Sequence, residues 1–81
     1  MGKINWSPNE EYVLGVCYDL AEGSLAPIQY DLAIERCGIG KDEFMKFRNY
    51  LIEEELLKGV DFLSFRLTSS GINKSKRLRG L

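Results

Sequence analysis

The residues best suited to chemistry in this 81-residue chain are cationic and amide side chains set at helical spacing. Lys41, Asp42, Met45, Lys46 and Asn49 fall on the outward side of one amphipathic stretch, with Arg48 at its edge. Lysine and arginine donate to guanine, asparagine pairs with adenine, and methionine touches a thymine methyl, so this set suits base reading in a major groove. The plain alternative is a solvated helix face, to which Asp42 and Glu43 at the start of the stretch also belong, complementing the helix dipole. Lys58 and Arg66 fall on two short strand-like runs. They suit phosphate contacts, or equally serve as exposed charges that guard a sheet edge. Lys74, Lys76, Arg77 and Arg79 form a basic tail over 72–81, suited to backbone attraction or to completing a helix C-terminus.

Other chemistry finds little footing. The chain has no histidine, and its Ser, Cys and acidic residues show no triad or metal-ligand spacing, so no enzyme, metal or cofactor is expected. Gly38-Ile39-Gly40 is followed by Lys41-Asp42, which is not a phosphate-loop or dinucleotide spacing. Cys17 and Cys37 fall on apolar helix faces and read as two small buried hydrophobes.

Charge is distributed unevenly. All 12 acids precede Lys74, whereas four of the 11 bases follow Asn73, so an acidic body ends in a basic tail and the net charge is only −1. A hydrophobic content of 44% supports one packed core rather than a disordered chain. No run approaches the length of a membrane span or resembles a signal peptide, so one cytoplasmic domain over 1–81, with no membrane partner, is the expectation.

These side chains need elements to position them. Ser7, Pro8 and Glu10 form a capping box for a first helix that runs to about Glu22 and ends on Gly23. Tyr12, Val13, Val16, Cys17, Leu20 and Ala21 form its apolar stripe. Residues 24–26 read as an extended link with room for a minimal strand, and 27–36 as a second helix with Ile28, Leu32, Ala33 and Cys37 inward. Gly38-Ile39-Gly40 is a turn. Residues 41–56 read as a third helix with Phe44, Phe47, Leu51 and Ile52 inward. Two strands follow over 57–60 and 63–67, with Asp61 and Phe62 between them. Ser69 or Ser70 then caps a last short helix over 72–78.

The stretch GIGKDEFMKFRNYLIEEELL resembles the recognition-helix segment of winged helix-turn-helix regulators of the MarR-like and PadR-like groups. Gly38, Ile39, Gly40, Phe44, Phe47, Leu51, Leu56 and Leu57 occupy the matching places. Residues 65–71, FRLTSSG, look like the passage from wing strand to last helix in those families. In two places the chain departs from them: Glu55 stands where they carry a helix-ending glycine, and the tip of the hairpin is short and partly acidic.

The resemblance implies an α+β, mostly α fold, a winged helix-turn-helix with three main helices, a short β-hairpin wing and a short C-terminal helix. It also implies a regulator of transcription that binds double-stranded DNA through helix 41–56. The alternative is a winged-helix module that binds a protein and no DNA, which the acidic body favours. Trp6 and Tyr12 beside the first helix, with Tyr18, Tyr30 and Tyr50 taken as exposed, suggest a homodimer through the first and last helices.

Overall fold

Asn9 opens the first element of the computed structural model, which describes residues 9–80. Its side chain accepts a hydrogen bond from the Tyr12 amide at 2.8 Å and so caps helix α1, Glu10–Ala21. Ser7, Pro8, Ile4 and Trp6 lie outside the described residues. Helix α1 ends one residue earlier than Gly23 suggests. Glu22 itself takes the left-handed conformation (φ 54°), and the Glu22 and Gly23 amides donate back to Asp19 O and Tyr18 O. That pair of bonds is a Schellman closure.

The second helix starts three residues later than expected, and the strand before it sits elsewhere. Residues 28–29 form strand β1, Ile28–Gln29, and helix α2 spans Tyr30–Cys37. The reason is tertiary. Ile28 pairs with Phe65 and Gln29 with Ser64 in an antiparallel ladder, and Ile28 is buried by it. Gly38 (φ 73°) closes α2, and the Tyr12 hydroxyl donates to Cys37 O at 2.9 Å, satisfying a carbonyl at the end of that helix.

Helix α3 spans Lys41–Glu53, shorter than the expected 41–56. Its end is another Schellman closure. The Glu55 amide donates to Ile52 O and the Leu56 amide to Leu51 O, with Glu55 left-handed at φ 63°. The glutamate therefore takes the conformation that a glycine would take more easily, and Leu51 and Leu56 are both buried beside it. Glu55→Gly is predicted to stabilise the fold, because removing a left-handed side chain gains about 1 kcal/mol, partly offset by a freer unfolded chain. A helix running through 56 would give the opposite sign, so the direction of the thermal midpoint shift decides.

Strands β2, Leu57–Gly59, and β3, Ser64–Leu67, form a hairpin, and the sheet order is β1-β3-β2, antiparallel throughout. Both strands are shorter than their apolar runs because Val60 and Leu63 belong to the loop. Helix α4, Ser69–Arg79, starts at a Thr68 cap rather than at Ser69 or Ser70. The Thr68 hydroxyl accepts from the Gly71 amide at 3.0 Å and donates to Glu55 O at 2.6 Å, tying α4 to the turn after α3.

The result is an α+β fold, mostly helical, with four helices and one three-stranded sheet among the described residues. Val13, Leu14 and Cys17 of α1, Phe44 and Leu51 of α3, and Leu57, Phe65 and Leu67 of the hairpin fill its core. Leu14 is buried although the stripe read from sequence omits it, and Tyr12 and Leu32, expected inward, are exposed. Helix α1 packs on α2, α3 and α4 together, which widens its buried face towards Leu14. Burial pushes the Cys37 thiol up to about 11 and raises Cys17 further, so both stay protonated thiols within the core. No helix among the described residues is long and apolar enough to cross a membrane.

Candidate nucleic-acid interface

Helix α3 separates its candidate residues into two groups. Lys46 and Asn49 project from its outer, exposed face, as their spacing requires. Lys41, Met45 and Arg48 lie on its flank and line a groove of about 450 Å³ together with the start of α2 and the hairpin loop. Met45 is half-buried against the core and Arg48 is half-buried as well.

Arg48 is held on several sides. Its Nε donates to the Tyr30 hydroxyl at 3.1 Å, its guanidinium lies 5.4 Å from the centre of the Tyr30 ring, and its Nη1 donates to Asn49 Oδ1 at 2.7 Å. Tyr30 is in turn fixed by aromatic packing, 4.8 Å from Phe65 and 6.4 Å from Phe44 between ring centres. The sequence reading treats Tyr30 as an exposed aromatic; it instead joins the core to Arg48. The Arg48 contact also orients Asn49, with the amide nitrogen left as its available donor end.

On the sheet, Lys58 and Arg66 stand directly opposite each other on the outer face of the hairpin. Like charges at such a position destabilise a ladder. Arg66 relieves part of this by donating Nη1 to Leu67 O at 3.0 Å. Lys58→Glu is predicted to raise stability by about 0.5 kcal/mol by creating an opposite-charge pair. If phosphate contact is the role of this pair, the same change weakens duplex binding; a melt and a binding titration on one variant measure both effects.

The basic tail is ordered as α4, and its four cations differ. Lys76 and Arg77 are exposed and Lys74 is half-buried. Arg79 is engaged within the chain: it pairs with Asp19 at 2.7 Å, donates to Gly15 O at 3.0 Å, and lies 4.8 Å over the Tyr18 ring. That pairing holds the Asp19 carboxyl below its usual range. Tyr18 is thereby also used inside the chain, and of the three tyrosines read as exposed only Tyr50 is so.

The strand-like runs place the hairpin tip at Asp61 and Phe62, but not the bonds that close it. Asp61 Oδ1 accepts from the Leu63 amide at 2.8 Å and the Ser64 hydroxyl at 2.9 Å, bonds that hold its carboxyl below the ordinary range and close a tight turn. That turn presents Phe62 at 98% exposure and Leu63 at 73%. The Asp-x-Leu-Ser spacing is the sequence signal for these closing bonds.

No protein-family model matches this chain, no curated protein matches it, and no solved structure is significantly similar to it.

Proposed function

We propose that this chain is a small winged-helix DNA-binding protein of the cytoplasm that regulates transcription by reading a major groove with the outer face of α3. The observation that carries this reading is the order of elements. A helix, a minimal strand, a helix-turn-helix and a hairpin follow one another, and the last strand lies between the other two in the sheet. This is the layout expected of a winged helix, and it leaves Lys46 and Asn49 exposed on the helix that such domains insert in the groove. Lys58 and Arg66 on the hairpin and Lys74, Lys76 and Arg77 on α4 would hold phosphates. Arg79 would act indirectly, by fixing α4 on α1.

Fluorescence anisotropy on a labelled duplex tests the reading. Binding should fall about tenfold or more between 50 and 200 mM salt if several phosphates are neutralised. Lys46→Ala and Asn49→Ala should weaken binding to a selected site while leaving the melting curve unchanged, since both side chains are exposed. Absence of binding at low salt sinks the proposal.

The second reading is a winged-helix module that binds protein. The exposed Phe62 and Leu63 favour it, because an apolar hairpin tip offers nothing to a phosphate.

A further inference from the structure

The hairpin loop and the groove beside it make one continuous surface. Phe62 and Leu63 form its apolar prominence, and Val60 adds to the exposed apolar area at the base. The floor is Ile34 and Met45, partly buried against the core. Its charged groups are two cations, Lys41 and Arg48, and two acids, Asp31 and Asp61.

We infer that this surface is a self-association site whose occupant is a second copy of this chain. The groove shares Lys41, Met45 and Arg48 with the candidate DNA-contacting set, whereas Lys46, Asn49, Lys58, Arg66 and the α4 cations, which carry the DNA reading, lie outside its lining.

Charge decides between occupants. A duplex or an anionic membrane is held by an excess of positive charge. This groove has none, since its two cations are matched by two acids. A twofold contact has a different requirement: the same patch must complement itself. A patch with balanced charges around an apolar centre suits that requirement: a twofold that sets the cations of one copy against the acids of the other leaves no net repulsion. Shape agrees. Each copy carries both a prominence, Phe62, and a hollow beside it, so two tips can enter two grooves in one reciprocal contact.

The tip is also prepared for burial. The Asp61 turn fixes the loop through the Leu63 amide and the Ser64 hydroxyl, so little ordering is left to be done on association. A buried phenylalanine removes about 150–250 Å² from water, and two of them with their groove walls reach only the low end of specific interfaces, about 1,000 Å². The pairing is therefore a weak and reversible one, with a dissociation constant of about 10–100 μM.

Sedimentation velocity on the full chain, from about 5 to 500 μM, tests this. The wild type should shift from monomer to dimer across the range. Phe62→Asp and Leu63→Asp should each weaken association at least tenfold, with thermal unfolding of dilute protein unchanged because both side chains face solvent. Lys41→Glu and Asp31→Lys give a sharper test. Each variant alone should associate less than wild type, since its patch repels itself, and an equimolar mixture should recover association. A wild type that stays monomeric throughout, a Phe62→Asp variant that pairs as well as wild type, or a mixture no better than its components would each overturn the inference. Duplex binding is measured in parallel on wild type and Phe62→Asp, which keeps every candidate DNA-contacting side chain, so failure of one proposal is distinguishable from failure of the other.

Discussion

Replacing Gly71 with alanine is expected to lower the melting temperature by about 10–20 °C, corresponding to roughly 2–3 kcal/mol in a domain of this size. Helix propensity alone predicts the reverse, because alanine is favoured over glycine within a helix by about 1 kcal/mol. The tertiary contact overrides it. A methyl group on Gly71 would land on the carbonyl oxygen of Leu56, which is backbone and cannot rotate away. That carbonyl also accepts the Thr68 amide at 3.1 Å. The first turn of α4 would have to lift from the Schellman turn after α3, losing the Thr68 bonds to Glu55 O and the Gly71 amide. Ser70→Ala is the control, since Ser70 is exposed one residue away and should leave the midpoint within about 0.5 kcal/mol of wild type. A Gly71→Ala protein as stable as wild type would mean that α4 does not pack here.

Phe65→Ala is expected to have a larger effect, about 3–5 kcal/mol by denaturant unfolding. Phe65 is fully buried in the central strand, paired with Ile28 on one side and Gly59 on the other. Its ring meets Tyr30 at 4.8 Å and Phe44 at 6.0 Å. Truncation therefore opens a cavity where α2, α3 and the sheet converge. Since small domains are stable by only about 5–15 kcal/mol, much of the folded-state margin goes with it. Phe65→Leu keeps most of the volume and should lose less than half as much. The loss also reaches the candidate interface: Tyr30 depends on Phe65 for its position, and Arg48 depends on Tyr30. A cost below 1 kcal/mol for Phe65→Ala would contradict the central placement of this ring.

Several features were open to reading before the fold was known because their causes are local. The outward direction of Lys46 and Asn49 follows from a 3.6-residue period against Phe44 and Leu51. Burial of Cys17 and Cys37 follows from the same periodicity, and the turn at Gly38 from the freedom of glycine. The hairpin follows from two apolar β-prone runs separated by a few residues. The packing of the first helix on the last within one chain had no local signal. Arg79 and Asp19 are 60 residues apart, and nothing in either segment marks the pairing.

The sequence by itself determined the number and order of the helices, the hairpin, and the outer face of α3, because capping, periodicity and turn chemistry act over a few residues. Tertiary structure decided the rest. Strand β1 exists at Ile28 because β3 offers it a ladder, against the helix-starting signal of Pro27. Helix α3 stops at Glu53 because Leu56 turns into the core, and that burial outweighs the strain of a left-handed Glu55. Lys41, Met45 and Arg48 line a groove only because α2 and the hairpin loop come to rest beside them. In each case the deciding partner lies far along the chain, and contacts of that range are set by burial and hydrogen bonding in three dimensions rather than by local propensity.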